Sequence, residues 1–207
     1  MKLFFDTEFT GLQKDTTLIS LGIVAENGAC FYAKFTDYNK ERVNDWIEQN
    51  VIQNLNLTDE LIANFFVTEV SGTKEEIKGY LIKWLEELDA KYYELVSDVC
   101  HYDMVLFIDI FGTAFDLPEY ISPCCYDINQ DIFYGLSDQT MQNAFDISRE
   151  ELLRDCTKDA YDDLYEMGKE VLDLGEECKH NSLYDALVIR ALYNCFYNDY
   201  IDTWDFV

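Results

Sequence analysis

At 207 residues, 49% apolar and 15% aromatic, the chain has the length and side chains for one packed domain spanning residues 1–207. Its 15 Lys and Arg against 41 Asp and Glu leave a net charge of −26, a balance that repels polyanions at long range, gives no pull toward an anionic membrane and favours cations. No apolar run is long enough to span a bilayer, Met1–Phe5 has no leader signature, and seven cysteines without a Cys-x-x-Cys pair suit a reducing cytoplasm better than disulfides or structural zinc.

The first element is a short apolar strand, Lys2–Phe5, ending in Asp6-Thr7-Glu8. Alternate strand residues share a face, so Asp6 and Glu8 point the same way. Two carboxylates side by side at a buried strand end repel unless a cation lies between them, which makes the pair a candidate metal site. In a chain this acidic, Asp-x-Glu also arises by chance. Phe9-Thr10-Gly11-Leu12 turns the chain, and a second strand follows over Thr17–Glu26. Asn27-Gly28 is a two-residue hairpin signal, and Cys30–Phe35 returns as a third strand.

Val43, Trp46, Ile47 and Val51 recur at helical spacing between Lys40 and Ile52, whereas Asn54–Ser71 reads as a covering loop. Thr73–Leu88 is an amphipathic helix with Ile77, Leu81, Trp84, Leu85 and Leu88 as its stripe. Glu94–Cys100 is a fourth strand, and His101-Tyr102-Asp103 leads into a helix that Gly112 stops. Pro118 and Pro123 bracket a surface connection before a fifth strand at Cys124–Ile128. Asp127, Asn129 and Asp131 open like a calcium loop, but Ile132 stands where the sharp turn needs Gly and Asp138 replaces the final Glu, which argues against one. Acidic helices fall between Ser148 and Leu174. His180-Asn181-Ser182-Leu183-Tyr184-Asp185-Ala186 then opens the last long helix, to about Tyr197, ahead of an aromatic tail from Tyr200 to Val207. Asp185 sits in the first helical turn, and His180 is in the loop before it. A fixed carboxylate can hold a metal while an imidazole beside it takes a proton from water. Taken alone, the stretch also fits a solvated His and a helix-dipole Asp.

The order of these pieces resembles the DEDDh superfamily of 3′–5′ exonucleases, which includes proofreading exonucleases, RNase T and oligoribonuclease. Phe5-Asp6-Thr7-Glu8-Phe9-Thr10-Gly11-Leu12 is similar to its first motif, Tyr102-Asp103 with its helix to the second, and His180–Ala186 to the third. The chain looks most like the small bacterial and phage exoribonuclease branch. The resemblance implies an α/β, ribonuclease H-like fold: a mixed five-stranded sheet, an antiparallel meander plus parallel strands, flanked by helices. It implies two Mg²⁺ or Mn²⁺ ions held by Asp6, Glu8, Asp103 and Asp185, with His180 as general base. It also implies that Thr7, Phe9, Thr10, Gly11 and Leu12 receive the 3′-terminal nucleotide. Asp98 and Asp109 stay open as alternatives to Asp103. The expected substrate is single-stranded or 3′-overhanging RNA, or DNA, with Lys14 and Lys179 as either further phosphate contacts or solvated surface charges, and a homodimer by analogy with relatives. Two other readings remain: an acidic mimic of nucleic acid, motivated by the −26 charge, and an inactive exonuclease fold used for binding.

Overall fold

The computed structural model describes residues 1–135, 147–157, 163–175 and 178–200. Among them, six strands form one sheet: β1 (Lys2–Phe9), β2 (Leu18–Ala25), β3 (Cys30–Phe35), β4 (Val67–Gly72), β5 (Tyr93–Ser97) and β6 (Ile121–Asp127), in the spatial order β4-β3-β2-β1-β5-β6. The β1–β2–β3 meander is antiparallel, while β4 on β3, β5 on β1 and β6 on β5 are parallel. The sheet is therefore mixed as expected, with one strand more than the five read from the sequence. The addition is β4, inside the stretch read as a loop. It pairs on one side only, at the sheet edge, and Glu69 and Ser71 face solvent. A half-exposed edge strand carries little apolar signal.

The helices are α1 (Asp45–Asn50), α2 (Asp59–Asn64), α3 (Lys74–Leu88), α4 (His101–Phe111), α5 (Asn129–Gly135), α6 (Arg149–Thr157), α7 (Asp163–Leu172) and α8 (Ser182–Tyr200). Two 3₁₀ turns, Lys40–Arg42 and Ile52–Asn54, flank α1 and break what the periodicity suggests is one helix. Thr73 caps α3 in a reciprocal box with Glu76. The hairpin signal holds: Gly28 has φ +90° and donates to the Ala25 carbonyl at 2.8 Å. Pro123 lies within β6, where an edge strand tolerates a missing N–H. Asp138 and the tail after Tyr200 lie outside the described residues.

Period-two alternation in β1 divides the core. Leu3 and Phe5 pack with α3 and α4, and Phe5 meets Phe107 with ring centroids 5.4 Å apart. Phe4 packs on the other face with Leu183, Leu187 and Tyr193 of α8. Helix α8 is sandwiched between the sheet and α6–α7, so Leu183, Tyr184, Ala186, Leu187, Val188, Ile189, Ala191 and Leu192 are all buried, a wider apolar surface than one stripe. Among the described residues no helix is long and apolar enough to cross a membrane.

Candidate active site

The same alternation aims the acids. Asp6 and Glu8 follow Phe4 onto the α8 face, and Thr7 follows Phe5 onto the α4 face. Asp185, in the first turn of α8, meets the pair: one carboxylate oxygen from each of Asp6, Glu8 and Asp185 lies within 4.8 Å of the others. Asp103, in the first turn of α4, is drawn in from the opposite side. Its Oδ1 accepts the Thr7 backbone N–H at 3.1 Å and the Thr7 hydroxyl at 2.5 Å. Thr7 is thus 4% exposed and anchors a carboxylate, where its motif position suggests a substrate contact.

A glycine permits the approach of α8. Gly22 of β2 is paired with Asp6, and a Cβ there would lie 2.3 Å from Leu183 N and from the carbonyl carbon and oxygen of Ser182. The backbone of the α8 start therefore rests on the β2 backbone, beside Asp6. Ser20 and Ser182 close the contact with a hydroxyl pair at 2.9 Å.

His180 precedes α8 in a left-handed conformation, φ 60°. Its ring stands edge-on to Trp46 at 5.1 Å between centroids, and it lines the same cavity as Asp185. The loop is tied down on both sides of the histidine. Asn54 Nδ2 donates to the Lys179 carbonyl at 3.0 Å, and Asn181 Nδ2 donates to the Asn54 carbonyl at 2.7 Å. Asn181 Oδ1 accepts from Leu183 N at 3.1 Å, starting the helix.

The acids share a cavity of about 410 Å³ with His180, Phe9, Leu12, Tyr102, Asp98 and Arg149. Burial first, then the charges of Asp103, Asp185 and Glu8, holds the Asp6 carboxyl well above the usual range. Glu8 is raised by burial, then by Asp185 and Asp103. Burial and then Glu150 push Asp185 up to about 8, and burial raises Asp103 to about 6 against the two Thr7 bonds. Burial, then Lys179, lowers His180, which favours the neutral imidazole. None of the ion pairs found among the described residues involves Asp6, Glu8, Asp103 or Asp185. Clustered carboxylates that raise one another and lack a cationic side chain fit a hard divalent cation bound through oxygen.

The two alternative acids are each paired with a basic side chain. Asp109 pairs with Lys74 at 2.7 Å, and Asp98 is gripped by Arg149. Asp127 accepts the backbone N–H groups of Val99 and Asn129, both at 2.9 Å, so it caps a turn instead of opening a calcium loop. Thr10 and Gly11 lie outside the acid cavity. They line an adjoining cleft of about 470 Å³ with Trp46, Arg42 and Asn44, and the two spaces share Glu8, Phe9 and Leu12. Leu12 is 74% exposed at this junction, and the Tyr102 hydroxyl holds its carbonyl. Phe9 stacks on Tyr102 at 5.4 Å and 20°. Lys179 is paired with Glu150 at 3.4 Å, and Lys14 lines neither space. Nothing local in the sequence marks Arg149, Gly22 or Asn54, because each acts through a partner distant in the chain.

A model of the Rv2179c-like 3′–5′ exoribonuclease domain matches residues 1–196. The chain belongs to this family. An Rv2179c-like domain is a 3′–5′ exonuclease, and so a hydrolase. Two Mycobacterium tuberculosis proteins, the 3′–5′ exoribonuclease Rv2179c of strain H37Rv and the 3′–5′ exoribonuclease MT2234.1 of strain CDC 1551, are similar to it. Each is 27% identical over 130 residues, which cover 63% of this chain and 73% of theirs. The crystal structure of cell-death related nuclease 4 (CRN-4) aligns with a TM-score of 0.47 at 15% identity. That alignment covers 96% of this Rv2179c-like chain and 64% of CRN-4.

Proposed function

We propose that this exonuclease removes nucleoside 5′-monophosphates from the 3′ end of single-stranded or overhanging RNA, using two Mg²⁺ or Mn²⁺ ions held by Asp6, Glu8, Asp103 and Asp185. The observation that carries the reading is one cavity lined by Asp6, Glu8, Asp103, Asp185 and His180, in which Asp6, Glu8 and Asp185 each offer a carboxylate oxygen within 4.8 Å of the others. When bound, two such ions stabilise charge on the attacking and leaving oxygens of an in-line displacement. By family resemblance Asp6 would serve both ions, Glu8 and Asp185 would help hold the one that activates water, and Asp103 would help hold the other.

The chain's own groups do the remaining work. His180, kept neutral by burial and by Lys179, takes the proton of the attacking water at an imidazole nitrogen. Its loop, clamped by Asn54 and Asn181, limits how far the ring can swing. Thr7 fixes one oxygen of Asp103 with both its backbone N–H and its hydroxyl, and the Asp103 charge acts on Asp6. Leu12 and Phe9, braced by Tyr102, form an apolar edge against which the last base stops, beside the cleft lined by Thr10 and Gly11. The RNA preference rests on the relatives' activity, and a reducing cytoplasm agrees with seven cysteines that include no Cys-x-x-Cys pair.

The test is digestion of matched 5′-labelled RNA and DNA oligomers with Mg²⁺, with Mn²⁺ and with chelator. Ion-dependent shortening from the 3′ end, faster on RNA, supports the reading. Tight binding with no cleavage under any ion would identify a binding module instead.

A further inference from the structure

Five acidic side chains line the cavity, yet the family pattern uses four. The fifth, Asp98, follows β5, five residues ahead of Asp103. Arg149 at the start of α6 takes both of its oxygens: Nε donates to Oδ2, and Nη2 donates to Oδ1 at 3.1 Å. The pair is well covered, with side chains 17% and 16% exposed. The guanidinium is fixed from behind as well, by Asn129 Oδ1 at 3.0 Å and the Ile147 carbonyl at 3.0 Å. A two-point fork held this way has spent most of its donors on the protein and has little left for a phosphate. It is the Arg or Lys that lines this cavity among the described residues.

We propose that Arg149 is a positioning residue that withholds Asp98 from the metal site, so that the ligand set is Asp6, Glu8, Asp103 and Asp185. This rests on the metal-dependent reading of the cavity. Without the guanidinium, Asp98 becomes an uncompensated carboxylate on the wall of an already anionic cavity. It then competes with Asp103 for a cation, or repels the acids into their protonated forms. Either outcome disturbs ion binding while the scaffold around β1 and α8 stays in place.

Two features favour this role over a simple structural ion pair. Asp98 lines the same space as the ligands while both of its oxygens are taken by Arg149. The next residue after Arg149, Glu150, pairs with Lys179 beside His180, so the first turn of α6 grips the acid wall and the histidine loop together.

The experiment compares wild type, Arg149→Met, Asp98→Asn and the double variant by calorimetric Mn²⁺ titration and by RNA turnover. Met keeps the alkyl stem and removes the fork. The expected result is a change in Mn²⁺ stoichiometry or affinity in Arg149→Met, a fall of about tenfold in kcat, and recovery to within about threefold of wild type when Asp98→Asn is added. Relief of an unpaired buried charge would restore turnover in a merely structural pair too, so the deciding readout is the metal: a structural pair would leave Mn²⁺ stoichiometry and affinity of Arg149→Met at wild-type values. An increase in KM with kcat unchanged, unrelieved by Asp98→Asn, would make Arg149 a phosphate contact and overturn the proposal. If Arg149→Met does not fold, Arg149→Lys serves: a point charge holding one oxygen instead of two should give the same Mn²⁺ change at smaller size, and wild-type titration would overturn the proposal. Asp6→Asn is the reference. If it leaves Mn²⁺ binding intact, the metal reading has failed; if only the recovery is missing, the role of Arg149 has.

Discussion

Replacing Gly22 with alanine should displace Asp185 without touching any ligand. The new Cβ would lie 2.3 Å from Leu183 N and from Ser182 C and O, backbone atoms that cannot rotate away. Reaching ordinary contact at 3.4 Å requires α8 to lift by about 1 Å. Asp185 sits three residues beyond Ser182 on the same rigid turn and must move with it, away from Asp6 and Glu8. A misplacement of about 1 Å at a reacting centre costs on the order of 10²-fold in rate. The overpacking itself costs about 1–3 kcal/mol. Gly79 supplies the control. It lies on the exposed side of α3, and a methyl group there would meet nothing within 4 Å, so alanine should stabilise by about 0.4–1 kcal/mol and leave turnover alone. The assay is kcat on a 5′-labelled RNA oligomer at saturating Mn²⁺, with thermal melts of all three proteins. Gly22→Ala retaining kcat within about threefold of wild type, whatever its melting temperature, would refute the claim that this contact sets the metal site.

Four further outcomes are expected. His180→Ala should lower kcat by about 10²–10⁴-fold with Mn²⁺ affinity preserved, whereas Asp6→Asn should weaken Mn²⁺ binding itself; equal loss of affinity in calorimetry of both would reverse the roles. Because burial raises Asp185 from 3.8 to about 8, the folded chain keeps a proton the unfolded chain has lost. That contribution to stability is fully present below about pH 4 and is lost as pH climbs through about 8, so chelated protein should lose melting temperature over this window more steeply than Asp185→Asn, and Mn²⁺ should raise it more at pH 8 than at pH 6. Thr7→Val removes one of the two donors that hold Asp103 ionised, so Asp103 should titrate higher and the Mn²⁺ titration should weaken at pH 6 more than at pH 8. RNA affinity of the Asp185→Asn variant should plateau with oligomer length and show a shallow salt slope, since a chain of net charge −26 has few groups to replace counterions; a slope reporting about six or more phosphate contacts would contradict this.

Local rules make part of the molecule legible. Asp6 and Glu8 share a face because strands have period two, and Gly28 turns the hairpin because it adopts positive φ. His180 and Asp185 flank a helix start that Asn181 caps, a short-range arrangement readable from seven residues. What stays hidden depends on distance along the chain. Arg149 and Asp98 are 51 residues apart, and Asn54 reaches Asn181 across 127. Gly22 reads as one small residue in a strand until the helix resting on it is seen. Strand β4 reads as a loop because a one-sided edge strand needs few apolar side chains. That the Thr7 side chain turns to Asp103 is not told by its motif position either, since the two are 96 residues apart.

The most direct test of the central claim is hydrolysis of single-stranded RNA in ¹⁸O-labelled water with Mn²⁺, with products read by mass spectrometry. Water activated beside His180 and delivered to the terminal phosphodiester should give nucleoside 5′-monophosphates, each carrying one ¹⁸O, and chelator should abolish them. Nucleoside 3′-monophosphates, 2′,3′-cyclic phosphates or unlabelled products would contradict it.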